Sequence, residues 1–353
     1  MTKKFILSIL ISVTLIIFGV GGYWLWNSKN QPKTTGLPMR LTTNNWPGKY
    51  FVEIANKKGW FKEAGLNVEL TYIGTDYLGS LNDTVAGKYD GSDFYLFDFI
   101  KYNIGGANLV TVLNPDISFG ADALVVKPEI TRVSGLKGKT IGLPKNSNEE
   151  YGLGVVLERN GLTLEDVTIK DMSGEKTSQA FINGEVDAIF TWEPFVYEAI
   201  KEGPGDLLFN SSQIPGLMPV VFAFHQKFID ERPGDVQAFM NVWYKTTEYM
   251  KKNPQETAQI IADIYKITPK EVAEFMVTDK IFDREANLSA FLDSFGFESL
   301  YGTSHIILKY LSNKGEAVGR ISDESYHNAM FDDSFLNKLD NSSIVNKVIN
   351  YFR

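Results

Sequence analysis

The groups in this sequence that could grip or transform a small molecule fall in five short stretches. The first runs Asn44, Asn45, Trp46, Pro47, Gly48, Lys49, Tyr50. Its amides, Asn45 included, can hydrogen-bond a ligand, and Trp46 or Tyr50 can stack on one; helix capping and core packing are the plain alternatives. The second is Thr75-Asp76-Tyr77, where Asp76 serves a ligand or simply caps a helix. The third holds Ser92 and Asp93 after a strand end. The fourth is NPDISFGAD, 114–122, with Asp116 and Ser118 as ligand contacts and Asp122 as a contact or a pin on the backbone. The fifth joins 145–148 to Trp192-Glu193-Pro194. Ser147 and Asn148 open a helix, whose free N–H groups favour an anion. Trp192 is a ligand wall or a core aromatic. A buried Glu193 needs a partner, and a ligand amine would serve. Asp76, Asp93, Asp116 and Glu193 stand against only Lys49 and Lys145. A zwitterion or an amine-bearing compound fits these stretches better than a bare inorganic anion.

Catalytic signatures are missing. The sequence has no Gly-x-Ser-x-Gly elbow, no Walker loop, no Gly-x-Gly-x-x-Gly and no His-Glu-x-x-His. His225, His305 and His327 lie too far apart for a metal pair, and none falls in the five stretches. With no cysteine there is no disulfide framework, thiolate zinc site or Cys nucleophile. The chain therefore reads as a binder without metal or cofactor, and not as an enzyme.

Alternating strands and helices must position these residues. Strands are expected over 39–44, 67–74, 108–113, 123–128, 139–143, 167–172, 187–194 and 218–224, with helices between them. After 230 the pattern turns helical, with Val236, Phe239, Met240, Val242 and Trp243 on one stripe. Two blocks of strand–helix alternation make an α/β protein of two lobes, with the helical C-terminal third on one of them. In open α/β sheets ligands sit at the carboxyl ends of strands, facing helix N-termini, which is where the five stretches fall.

The 353 residues suit two domains, or one domain in two lobes. Asp plus Glu number 43 against 35 Lys plus Arg, a net charge of −8 and a poor docking face for nucleic acid. Residues 5–26 are 22 consecutive uncharged residues. As helix they span about 33 Å, enough for a bilayer core of about 30 Å. Lys3 and Lys4 before this run stay cytoplasmic, which exports the rest. Tyr23, Trp24 and Trp26 read as the interfacial belt of a retained membrane anchor over 1–27; a removed signal peptide is the alternative. The polar stretch 28–37, with Pro32 and Gly36, reads as a flexible tether.

Five passages occur in a telling order: WPGKYFVEIANKKGWFKEAGLNVEL (46–70), LNDTVAGKYDG (81–91), NPDISFGADALVV (114–126), GLKGKTIGLPKNS (135–147) and INGEVDAIFTWEPFVYEA (182–199). Together they resemble the bacterial solute-binding proteins for nitrate, sulfonate, taurine and thiamine-precursor uptake. The resemblance implies a two-lobe clamp of the type II periplasmic-binding-protein kind, its ligand cleft between the lobes, preceded here by one transmembrane helix. Lobe one would hold 38–124 and 226–350, lobe two 128–220, with crossovers at 125–127 and 221–224. It implies a monomeric receptor on the periplasmic side of the bacterial cytoplasmic membrane. Such a receptor closes on a small organic solute of the aminosulfonate or taurine type and hands it to an ABC permease. An aminopyrimidine thiamine precursor is the alternative ligand, and a sensing subunit reporting to a separate membrane partner the alternative role. Two features depart from the family pattern. The lipid-bearing cysteine is absent. Thr43-Asn44-Asn45-Trp46-Pro47 replaces the Asp-Trp-x-Pro-Asn strand end of the thiamine-precursor branch, which weakens a pyrimidine ligand. Fungal relatives that make a pyrimidine with pyridoxal phosphate need a histidine beside a lysine in the cleft, which the five stretches lack.

Overall fold

The computed structural model describes residues 32–316, 318–319 and 324–339. The expected anchor over 1–27, the start of the tether and residues 340–350 lie outside these. Among the described residues no helix is long and apolar enough to cross a membrane.

The strands are β1 (Pro38–Thr43), β2 (Asn67–Tyr72), β3 (Gly91–Tyr95), β4 (Leu109–Ser118), β5 (Asp122–Val126), β6 (Thr140–Leu143), β7 (Thr168–Asp171), β8 (Ala188–Trp192), β9 (Asp206–Asn210), β10 (Pro219–His225) and β11 (Asp279–Ile281). They form two sheets, ordered β11-β4-β10-β3-β1-β2 and β7-β6-β8-β5-β9. In the first, β1 runs parallel to β2 and β3, while β10 lies antiparallel between β3 and β4. In the second, β6 runs parallel to β7 and β8, and β5 is antiparallel to β8 and β9. Each sheet is the centre of one α/β lobe.

The chain crosses between lobes at 119–121 and 211–218, not at 125–127 and 221–224. Val125 pairs inside the second sheet, and 221–224 pair inside the first, 222–224 on both sides. These apolar runs are buried on both faces, which is the pattern of central strands and not of connectors. Gly120, at φ 125°, makes the first crossing turn. The two crossings are tied together: the Ser118 and Ser211 hydroxyls lie 2.8 Å apart, and Gly120 N–H donates to Ser211 Oγ at 2.7 Å.

Two of the five stretches are strand rather than loop. Asn114, Asp116 and Ser118 belong to β4, and Ser92 and Asp93 lie in the middle of β3. Their polarity hid strands whose polar side chains are all buried. The described part of the tether is also fixed. Thr35 donates through N–H and Oγ1 to the Asp235 carboxylate at 2.7 and 2.5 Å, and Arg232 donates to the carbonyls of Leu37 and Pro38.

The stripe expected after 230 is buried on the helix Pro233–Lys252, with Phe239 against Phe222 at 4.8 Å between ring centres. The helix Leu300–Asn313 reaches both lobes. Its Tyr310 meets Phe97 of the first lobe and Tyr151 of the second, edge to face at 6.1 and 5.2 Å.

Candidate functional site

Three adjoining cavities lie where the lobes meet. The innermost, of about 400 Å³, is lined by Asn44, Trp46, Tyr77, Asp93, Tyr95 and Val220 from the first lobe and by Glu149 and Trp192 from the second. An outer one of about 530 Å³ shares Trp46, Tyr77 and Trp192 and adds Asn45 and Glu193. A third of about 370 Å³ adds Thr75, Asp76, Ser173 and Gly174.

Four aromatic residues wall the inner cavity. Trp46 precedes the turn Pro47–Lys49, which Pro47 starts, and its Nε1–H donates to Asp116 Oδ2 at 2.8 Å. Tyr77 opens the helix Tyr77–Val85, capped by Asp76, which accepts from Gly79 N–H at 3.1 Å. The Tyr77 hydroxyl donates to Asp98 Oδ2 and accepts from Tyr95 N–H, both at 2.9 Å. Tyr95 shares a face of β3 with Asp93, two residues away, and its hydroxyl reaches both oxygens of Asp122, at 3.1 and 3.0 Å. Trp192 ends β8, and its ring lies over Gly174, where any Cβ would collide with it.

The charges around the site are acidic. Asp93 is paired with buried Lys49 at 2.5 Å. Glu149 is buried, and its Oε1 has no hydrogen-bond partner. Burial, and then the neighbouring Asp98, pushes the Glu149 carboxyl up to about 7. Burial likewise raises Asp98 and Asp122 to about 7 and Asp116 to about 6. Asp279 is held well above the carboxylate range by burial and by Asp116 beside it. Among the described residues, no lysine, arginine or histidine lines any of the three cavities.

Of the residues singled out in the sequence, Asn45, Trp46, Asp76, Asp93, Trp192 and Glu193 line the cleft. Six do not. Tyr50 is wholly buried, near Tyr265. Ser92 faces the other side of β3 and bonds Thr42 Oγ1 at 2.6 Å. Asp116 stands behind Trp46, and Ser118 belongs to the crossings. Ser147 caps its helix, accepting from Glu149 N–H at 3.2 Å and donating to the Pro144 carbonyl at 2.6 Å. Asn148 is buried beside it. Trp46 and Glu193 thus face the outer cavity from opposite lobes, as expected, whereas Asp116 does not reach it. Asp116 holds Trp46 in place, and Glu193 Oε2 accepts Tyr197 N–H at 3.1 Å at the start of the helix Phe195–Lys201.

Sequence reasoning passed over Tyr95 and Glu149. Tyr95 was within reach: once 91–95 is a strand, it must share the face of Asp93. Glu149 sits in the first turn of its helix, where an acid reads as a complement to the helix dipole.

Two α/β lobes joined by two crossings, with a cavity closed by side chains of both, define a solute-binding protein of the periplasmic type. Residues 47–257 match the NMT1/THI5 like family, and the chain belongs to it: it is a solute-binding protein of the kind that serves ABC import systems, not an enzyme. It is 27% identical over 226 residues to a Bacillus subtilis protein assigned by name to aliphatic sulfonates, covering 62% of this chain and 68% of that one. It is 28% identical over 151 residues to the taurine-binding periplasmic protein of Escherichia coli, covering 37% of this chain and 46% of that one. The periplasmic nitrate-binding protein of Synechocystis PCC 6803 shares its fold, with a TM-score of 0.70 at 10% identity over 88% of this chain and 89% of that one.

Proposed function

We propose that this chain is the substrate-binding component of an ABC importer, acting outside the cytoplasm and anchored to the membrane by its N-terminal apolar run. It captures a small organic solute by closing two lobes, built on the strands of 38–118 with 219–281 and of 122–210. It then presents the solute to a permease in the cytoplasmic membrane. The observation that carries this is the inner cavity, which neither lobe forms alone: Glu149 and Trp192 come from one side, and Trp46, Tyr77, Asp93 and Tyr95 from the other. The names of its relatives favour a sulfonate or taurine-like solute, and the acidic lining favours one that bears an amine. An aminopyrimidine is a second reading, favoured by the four aromatic rings, which suit a flat ring.

The test is a thermal-shift screen of the detergent-solubilised chain with sulfonates, aminosulfonates and aminopyrimidines, followed by small-angle scattering. A ligand at 100 times its dissociation constant adds about 2.7 kcal/mol of stability. A hit that also shrinks the radius of gyration supports capture by closure. A hit that leaves the scattering unchanged removes the clamp mechanism.

A further inference from the structure

Three of the four aromatic walls have already given away their polar hydrogens. The Nε1–H of Trp46 is given to Asp116, the hydroxyl of Tyr77 to Asp98, and the hydroxyl of Tyr95 to Asp122. Each of these three side chains has turned its polar atom away into a buried acid, which leaves ring carbon facing the cavity. Their rings stand edge to face, with Tyr95 6.1 Å from Trp46 and 5.8 Å from Tyr77 between centres. Trp192 adds a fourth ring from the other lobe. Among the described residues, every charged side chain lining the three cavities is an acid: Asp76, Asp93, Glu149, Glu175 and Glu193. Asp93 is neutralised by Lys49, so Glu149, with a buried and unpartnered oxygen, is the carboxylate left open to the inner cavity. Aromatic faces attract a cation through their quadrupoles, most strongly where water is excluded, and a carboxylate fixes its position.

Resting on the solute-binding reading, we infer that the inner cavity selects an organic cation, with a positively charged nitrogen seated among Trp46, Tyr77, Tyr95 and Trp192 and Glu149 as its counter-charge. A sulfonate brought there would face Asp93 and Glu149 and find no free donor on Trp46, Tyr77 or Tyr95, which leaves only the Asn44 amide and the Trp192 indole N–H to bond it. If the solute carries an acidic group as well, that group lies toward the outer cavity, away from Glu149.

The probes are choline, its uncharged isostere 3,3-dimethylbutan-1-ol, benzylamine, taurine and propane-1-sulfonate, measured by calorimetry and thermal shift on the whole chain in detergent. Choline and benzylamine are expected to bind, and propane-1-sulfonate is not. The alcohol, equal in shape to choline, is expected to bind at least about tenfold more weakly, the loss of one charge-assisted contact. Glu149→Gln should weaken the cations by roughly 10- to 150-fold while leaving the unliganded melting temperature equal or higher. Propane-1-sulfonate binding better than both cations overturns the inference and leaves the solute-binding reading standing. Choline and its isostere binding alike, or Glu149→Gln lowering the melting temperature with affinity unchanged, also overturns it. Silence from both cations overturns the inference and leaves the solute-binding reading standing.

Discussion

The ring of Tyr151 lies flat on the ring of Phe97, with centres 5.1 Å apart and planes 13° from parallel. Phe97 belongs to the helix Leu96–Ile104 of the first lobe and Tyr151 to the helix Asn148–Arg159 of the second, which also carries Glu149. This stack therefore sets how far Glu149 stands from the aromatic walls across the cleft. Both side chains are buried. Phe97→Ala removes contacts to Tyr151 and Tyr310 together, and a buried Phe→Ala change costs about 3–5 kcal/mol. Guanidinium unfolding is expected to show a loss in that range. A loss under about 1 kcal/mol would mean that the lobes are held elsewhere.

Asp116 and Trp46 give a second test. Asp116→Asn keeps an oxygen for the indole N–H and removes a charge that burial already holds near 6, beside Asp279. Unliganded stability at pH 8 is expected to hold or rise. Asp116→Ala leaves the indole N–H without its acceptor, a cost of about 1–3 kcal/mol, and frees Trp46 to leave the cavity wall. Denaturation curves that rank the Asn variant below the Ala variant would show that Asp116 matters as a charge and not as an acceptor.

The two-lobe architecture was legible because strand–helix alternation repeats in two blocks and because turn residues separate the elements. Where the sequence misled, the cause was burial of polar side chains. Asn114, Asp116 and Ser118 look like a loop in isolation, yet they belong to β4, and each is bonded to a partner distant in sequence. Trp46 is 70 residues from Asp116, and Ser211 is 93 residues from Ser118. No local pattern announces such pairs. The short strands β9 and β11 went unseen for a related reason: β11 has three residues, too few to show a period. Trp192 was found because it ends a strand and Trp46 because it lies in the loop after one, whereas Glu149 was hidden behind a helix cap.

Protonation ties the buried acids to stability. Glu149, Asp98 and Asp122 have folded-state values near 7 and Asp116 near 6, all above the ordinary carboxylate range, with burial as the main cause in each. Between about pH 4 and 7 the folded chain therefore holds more protons than the unfolded chain. Stability falls with rising pH wherever the folded state binds the extra protons. The unliganded protein is expected to melt higher at pH 5.5 than at pH 8. A bound permanent cation reverses the slope for affinity, since it needs ionised Glu149: choline should bind more tightly as pH rises through 7. Melting curves at four pH values, with and without the probe, check both directions. An unliganded melting temperature that climbs from pH 5.5 to 8 would show that these acids are solvated or paired in the folded protein.

Gly174 gives the sharpest test of the cleft wall in the second lobe. It begins the helix Gly174–Ile182, and the six-membered ring of Trp192 packs directly over its Cα, so that an added Cβ would overlap ring atoms. Gly174→Ala must push Trp192 aside, and the open direction is the cavity of about 400 Å³ that the indole already lines. Ligand affinity is expected to fall at least about tenfold, equivalent to 1.4 kcal/mol. Unliganded stability should change little, because alanine favours helix over glycine by up to about 1 kcal/mol and offsets part of the displacement. The double variant Gly174→Ala with Trp192→Ala separates this from a general disturbance of the helix. If the glycine acts only by letting the indole lie flat, adding Gly174→Ala to Trp192→Ala costs no further affinity, and the two changes are strongly non-additive. Additive losses would mean that Gly174 matters through the backbone of its helix and that Trp192 contributes to the cavity independently of it.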